Sequence, residues 1–239
     1  MTQSLNSLKN ASNASERKVP TLPTYEPPRF IAIEGPIGVG KTTLANILTE
    51  RLHAHRLHDP TDNPFLDSFY KDARGAAFQT QLYFLIRRYQ QLRELDLADT
   101  ASRVVVSDYT LEKDKIFAYL NLNDAELRVY DEYYKLFVDE VPIPDLVIYL
   151  QAKLETLKKR IARRKTPAER RISDSYLEEV AKAYEHFFFH YQSSNVLVID
   201  TSEIDFVDRN QDLQQLLDRL SQPVKGTQYF LPLGSASAD

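Results

Sequence analysis

The feature that most constrains this chain is a short apolar run driven straight into a glycine turn. Phe30-Ile31-Ala32-Ile33-Glu34 reads as a buried strand, and Gly35-Pro36-Ile37-Gly38-Val39-Gly40-Lys41-Thr42 follows it without a gap. Helical spacing then begins, with Leu44, Ile47, Leu48 and Leu52 on one side of Thr42–Leu52. Half of the chain's 6 glycines lie in that one turn. Strand, G-x-x-x-x-G-K-[ST] and helix in this order form an anion cradle: backbone N–H groups converge on phosphate oxygens and the helix N-terminus adds a favourable dipole. In such a cradle Lys41 neutralises the β- and γ-phosphates and the Thr42 hydroxyl, followed by Thr43, faces Mg²⁺. The loop is therefore expected to bind the triphosphate of ATP or a similar nucleotide.

A strand that leaves its helix on one face needs parallel neighbours. The sequence offers four: His55–Asp59, Val104–Asp108, Leu146–Gln151 and Val196–Asp200. Helix-length stretches separate them. Phe78, Leu82, Leu85, Ile86, Tyr89 and Leu92 form one apolar stripe, and Leu177, Val180, Ala181, Tyr184, Phe188 and Tyr191 form another. Strands alternating with helices predict an α/β fold, a five-stranded parallel sheet flanked by helices. Ligands in such sheets sit at the carboxyl ends of the strands, where Glu34, Asp59, Asp108 and Asp200 all fall. Asp108 is the expected second Mg²⁺-organising carboxylate, with a plain helix cap as the alternative.

The 239 residues suffice for one domain, expected over 29–233, with an N-terminal extension over 1–28 and a tail over 234–239. The extension is rich in Ser, Asn, Thr and Pro and has no apolar stretch of a secretory signal; disorder describes it better than a transit peptide does. Absence of cysteine excludes disulfides and thiolate metal sites and fits a reducing, cytoplasmic setting. A net charge of -4 gives no pull toward nucleic acid or anionic membrane, and no run approaches a membrane span.

Beyond the loop the sequence resembles the deoxynucleoside kinases, in their bacterial deoxyadenosine/deoxyguanosine kinase-like branch. The likeness runs from about Phe30 to Leu231, through IAIEGPIGVGKTTLA, DNPFLDSFY, AFQTQLYFL, SDYTLEKDKIFA, PDLVIYLQA and AYEHFFFHY. It implies a P-loop kinase fold with a C-terminal arginine-rich lid, and transfer of the ATP γ-phosphate to a deoxynucleoside 5′-hydroxyl. Asp59 stands where the family places a glutamate as general base; neighbouring His58 is the alternative. Leu66, Phe69 and Tyr70 resemble pocket residues, with Tyr70 at the sugar 3′-hydroxyl. Gln79 matches the glutamine that faces the nucleobase, and Phe117, in a matching frame with Asp114 and Ala118, resembles the aromatic that stacks on it. Arg160, Arg164 and Glu169 fit the lid pattern, the arginines facing the transferred phosphoryl group and Glu169 the 3′-hydroxyl.

One departure stands out. Asp108-Tyr109-Thr110 replaces the family's acidic-Arg-Ser triplet, so the arginine that helps hold the 5′-hydroxyl and phosphate is absent. Lys113 is a candidate for that charge, against a bland reading as a solvated helix residue. The leading expectation is an ATP- and Mg²⁺-dependent deoxynucleoside kinase of nucleotide salvage, purines slightly favoured. A thymidylate-like monophosphate kinase and a non-catalytic nucleotide-binding subunit are the alternatives. The resemblance also implies a homodimer, for which the stripe Phe78–Leu92 offers a surface.

Overall fold

The computed structural model describes residues 27–71, 73–95, 104–164 and 172–234. Among them the elements run β1 (Phe30–Glu34), α1 (Lys41–Leu52), β2 (His55–Leu57), α2 (Leu66–Tyr70), α3 (Ala76–Arg93), β3 (Val105–Ser107) and α4 (Lys113–Asn121). They continue through α5 (Asp124–Val138), β4 (Leu146–Gln151), α6 (Leu154–Arg164), α7 (Asp174–Phe189), β5 (Asn195–Asp200), α8 (Asn210–Leu220) and β6 (Thr227–Phe230). The strands form one sheet in the order β2-β3-β1-β4-β5-β6, every neighbouring pair parallel.

Parallel strands covered on both faces are apolar at nearly every position, and β1 is buried along its whole length. Its residues alternate between two cores. Ile31 and Ile33 face one core with Leu44 and Leu48 of α1 and Leu216 of α8. Ala32 faces the other with Val180, Tyr184 and Phe188 of α7. There the Tyr149 and Phe188 rings stack at 4.3 Å. Burying an aromatic side chain of this size contributes roughly 1.5–3 kcal/mol. A third core joins Phe30 and Val105 to Leu85, Tyr89 and Leu92 of α3 and to Tyr130 and Tyr134 of α5.

Three expectations need correction. The sheet has six strands, not five, because β6 pairs with β5. Thr-Gln-Tyr-Phe is a short edge strand whose Tyr229 is exposed, so it lacks the apolar run that marked β1, β3, β4 and β5. β2 and β3 stop at Leu57 and Ser107, which puts Asp59 and Asp108 on the loops beyond the strand ends. The α3 stripe is taken up inside the chain: Leu85, Tyr89 and Leu92 are buried, Phe78 and Leu82 pack beside them, and Ile86 alone of the stripe is exposed. It is core rather than a free docking face.

Candidate active site

At the end of β1 the backbone reverses through Gly35, at φ 144°, where an added Cβ would run into the Leu150 carbonyl. Gly40 caps α1 at φ 109°, with the Phe206 ring where a Cβ would stand, 2.8 Å away. Both positions therefore require glycine. Lys41 folds back over the turn and donates to the carbonyls of Gly35 at 2.7 Å and Pro36 at 3.1 Å. Burial, helped by the positive charge of Lys113, pushes its ammonium down to about 8. An approaching phosphate would reverse that shift by pairing with the charged form.

Opposite the loop, α6 and the segment after β5 close a cleft lined by Gly38–Thr43, Arg160, Arg163, Arg164, Asp205, Phe206 and Val207. Arg160 is occupied in the structure. Its guanidinium donates to Val39 O at 3.1 Å, Thr201 Oγ1 and Thr201 O at 2.8 Å, and Ile204 O at 3.0 Å. It ties the phosphate loop to the donor-side segment, so positioning is its visible work here. Arg163 pairs with Asp208 at 2.7 Å. Arg164 is exposed at the end of α6, on the rim of the cleft. Glu169 lies outside the described residues.

Thr42 Oγ1 donates to Asp108 Oδ2 at 2.8 Å. A hydroxyl and a carboxylate are hard oxygen donors, and so small a protein share suits Mg²⁺, which keeps most of its shell as water and nucleotide phosphate. No group of three or more His, Cys, Asp or Glu side chains that could hold a metal occurs among the described residues.

Asp108 Oδ1 accepts the backbone N–H of Asp59 at 2.8 Å, which joins the donor side to the acceptor side. The Asp59 carboxylate accepts Arg88 Nε at 2.8 Å on one oxygen and pairs with Lys113 Nζ on the other. Burial alone would raise its pKa, but Arg88 and then Lys113 outweigh it and hold the carboxyl well below the usual range. Arg88 also reaches Asp114 Oδ1 at 2.7 Å, and its guanidinium lies 4.7 Å from the Phe84 ring centre. Asp114 shifts the other way, because complete burial outweighs its arginine. Glu34, fully buried, accepts Thr110 N at 2.6 Å and Tyr184 OH at 3.3 Å. It fixes the turn that launches α4 and so positions Lys113.

Asp59 and Lys113 thus come together, whereas His58 is exposed. Phe117 packs edge-on to Tyr184 at 6.1 Å. Leu66, Phe69 and Tyr70 share the short helix α2, half-buried. Buried Asn63 anchors the segment before it to α3, donating to Thr80 O at 3.0 Å. Gln79 is placed unlike the expectation: it is exposed, and nine positions at about 100° each set it half a turn from Arg88. Gln81 lies seven positions from Arg88, on the same face, buried and with Oε1 unpartnered. Tyr109 points into the core, its hydroxyl donating to Gln91 Oε1 at 2.8 Å.

Arg88 is the functional candidate that sequence reading passed over. Its signal was present: a charge within the buried period of Leu85, Tyr89 and Leu92 demands a partner. A phosphate loop linked through Asp108 to a buried carboxylate flanked by two cations is the site of a phosphotransferase.

Comparison with known proteins gives that class its family. The deoxynucleoside kinase model matches residues 31–225. The deoxyguanosine kinase of Bacillus subtilis is 38% identical over 193 residues, 78% of this chain and 93% of that protein. The deoxyadenosine kinase of Dictyostelium discoideum is 36% identical over 193 residues, 78% and 77% of the two chains. Among solved structures, M. mycoides deoxyadenosine kinase with bound dATP superposes at a TM-score of 0.67, with 27% identity, over 81% of this chain and 100% of that one. The chain belongs to the deoxynucleoside kinase family. It is a nucleotide-binding phosphotransferase with an alcohol acceptor.

Proposed function

We propose that the chain moves the γ-phosphate of ATP, with Mg²⁺, onto the 5′-hydroxyl of a purine deoxynucleoside, and that Asp59 takes the hydroxyl proton. The observation that carries this reading is the unbroken chain Thr42–Asp108–Asp59–Arg88/Lys113. It sets the acceptor carboxylate one residue from the metal end of the phosphate loop. Phosphoryl transfer asks little covalent work of a protein, so positioning and charge carry the rate. Lys41 and Arg164 face the phosphates, and Arg160 holds the loop that presents them. Thr42 and Asp108 would hold the metal, which neutralises phosphate charge when bound.

With both oxygens paired, Asp59 is a weak base in the substrate-free state. The entering hydroxyl displaces Lys113 from the carboxylate. The freed ammonium then lies beside the transferring group and supplies the charge that Tyr109 cannot. Arg88 stays on Asp59 and Asp114 from the far side. Gln81, rather than Gln79, faces the nucleobase, because it is buried on the face of Arg88 with Oε1 unpartnered and its amide can both donate and accept. Phe117 flanks the base, Leu66 and Phe69 line the pocket, and Tyr70 and Glu169 take the sugar 3′-hydroxyl. The purine preference draws on the relatives' names, deoxyguanosine and deoxyadenosine kinase.

The test compares Asp59→Asn with the wild type on all four deoxynucleosides. Turnover is expected to fall by about 10²–10⁴-fold, the usual share of a general base, with nucleoside binding retained. Near-wild-type kcat would remove Asp59 from the role.

We also infer a homodimer and a cytoplasmic setting. Val129, Tyr133 and Leu136 are exposed at helical spacing on α5 and offer a second copy an apolar face. No described helix is long and apolar enough to cross a membrane.

A further inference from the structure

Among the described residues, a largely enclosed cation stands outside the acceptor chemistry. Arg56, on the edge strand β2, sends its guanidinium to the metal end of the phosphate loop. Its Nη2 lies 2.8 Å from Asp108 Oδ2, with side-chain exposures of 9% and 6%. That carboxylate oxygen is the one that accepts the Thr42 hydroxyl at 2.8 Å. The arginine is held in place by neighbours other than Asp108. Nη1 donates to the carbonyls of Leu57 and, at 3.3 Å, Val106, and Nε donates to Asn46 Oδ1 at 3.3 Å.

We propose that Arg56 is a positioning residue that keeps divalent ions off Asp108 until they arrive bound to a nucleotide. The proposal rests on Thr42 and Asp108 being the metal-side pair. A single carboxylate oxygen separates the guanidinium from the Thr42 hydroxyl, so Asp108 is already charge-compensated before any metal approaches. A free divalent ion would meet a local charge near zero, with a fixed positive group behind it in a poorly hydrated pocket. A metal–ATP complex brings its own negative oxygens, and repulsion from Arg56 is then offset by phosphate. The same contact aims Asp108 Oδ1 at the Asp59 N–H, which holds the acceptor base in register with the phosphate loop. Arg56 acts through Asp108 and touches neither substrate.

Free Mn²⁺ is read by electron paramagnetic resonance as the ion is titrated into full-length, nucleotide-free protein. The wild type is expected to leave Mn²⁺ free through the submillimolar range and, once ATP is added, to retain Mn²⁺ behind an ultrafiltration membrane that passes it in a protein-free Mn–ATP control. Arg56→Met, which keeps an apolar stem and removes the charge, is expected to bind Mn²⁺ at least roughly tenfold tighter without nucleotide. Arg56→Lys, which keeps the charge, stays near the wild type, and adding Asp108→Asn to Arg56→Met abolishes the gain. A thermal melt establishes that each variant is folded. Submillimolar Mn²⁺ binding by nucleotide-free wild type overturns the proposal without any variant, and so does a folded Arg56→Met with no gain. Failure of the wild type to take up Mn²⁺ with ATP would instead overturn the metal-side assignment of Thr42 and Asp108.

Discussion

The two ends of the cleft are built in opposite ways. The donor end is local: β1, its glycine turn and α1 follow one another, and the groups we propose to meet phosphate are backbone N–H groups, Lys41 and Thr42. The acceptor end is assembled from the loop after β2, from α3 and from α4. Its centre is a buried network of three ion pairs: Asp59 with Arg88 and with Lys113, and Asp114 with Arg88. A local site depends on turn geometry and tolerates change in the rest of the chain. An assembled site depends on each partner, because removal of one leaves another charge buried without compensation. The donor end should therefore break in function alone, and the acceptor end in function and stability together.

Lys41→Ala tests the first half and carries the largest expected effect. Loss of a preorganised charge at the transferring phosphoryl group should lower kcat/KM by about 10³-fold, with the melting temperature nearly unchanged, because the ammonium bonds only to loop carbonyls. A large drop in Tm would show that the loop's fold leans on this lysine.

Arg88→Met tests the second half. The variant is expected to lose both activity and about 3–5 kcal/mol of stability in chemical denaturation. The double variant Arg88→Met/Asp114→Asn should recover part of that stability, since burial already favours the neutral form of Asp114. No recovery would mean that Asp114 is not the strained partner.

pH separates the two ends by sign. Lys41 has a folded pKa lowered to about 8, so in the nucleotide-free protein it is charged below that value and neutral above it. Phosphate binds the charged form, and ATP affinity should weaken roughly tenfold between about pH 7 and 9, with proton uptake visible by calorimetry in buffers of different ionisation enthalpy. Lys41→Met should flatten that slope. Asp59 has a folded pKa below its unfolded value. Its contribution to stability is present above about pH 4 and is lost as pH falls toward the folded value, so Asp59→Asn should reduce stability at pH 7 and converge on the wild type in acid.

Tyr109→Phe has the smallest expected effect. It removes the hydrogen bond to Gln91, worth about 1 kcal/mol, and should leave kcat within about twofold. A large kcat effect would bring position 109 back into the acceptor site from which its buried side chain has turned away.

The difference between local and assembled sites also sets how far the sequence could be read. The loop, the strands β1 to β5 and the core stripes were legible because each rests on residues adjacent or periodic in the chain. Gln79 drew attention through motif likeness, while helix phase gives Gln81 the face of Arg88. β6 escaped notice because an edge strand with alternating exposure has no continuous apolar run.

By itself, then, the sequence determined a phosphate-binding turn between a buried strand and a helix, and a two-faced parallel sheet around it. These follow from backbone sterics and the burial of apolar side chains at fixed periods, both short-range rules. Only the tertiary structure decided which charges meet: Arg88 and Lys113 on Asp59, and Arg56 on Asp108. Ion pairing acts through space and is blind to sequence separation, so the cations around Asp108 and Asp59 come from β2, α3 and α4, which no local pattern connects.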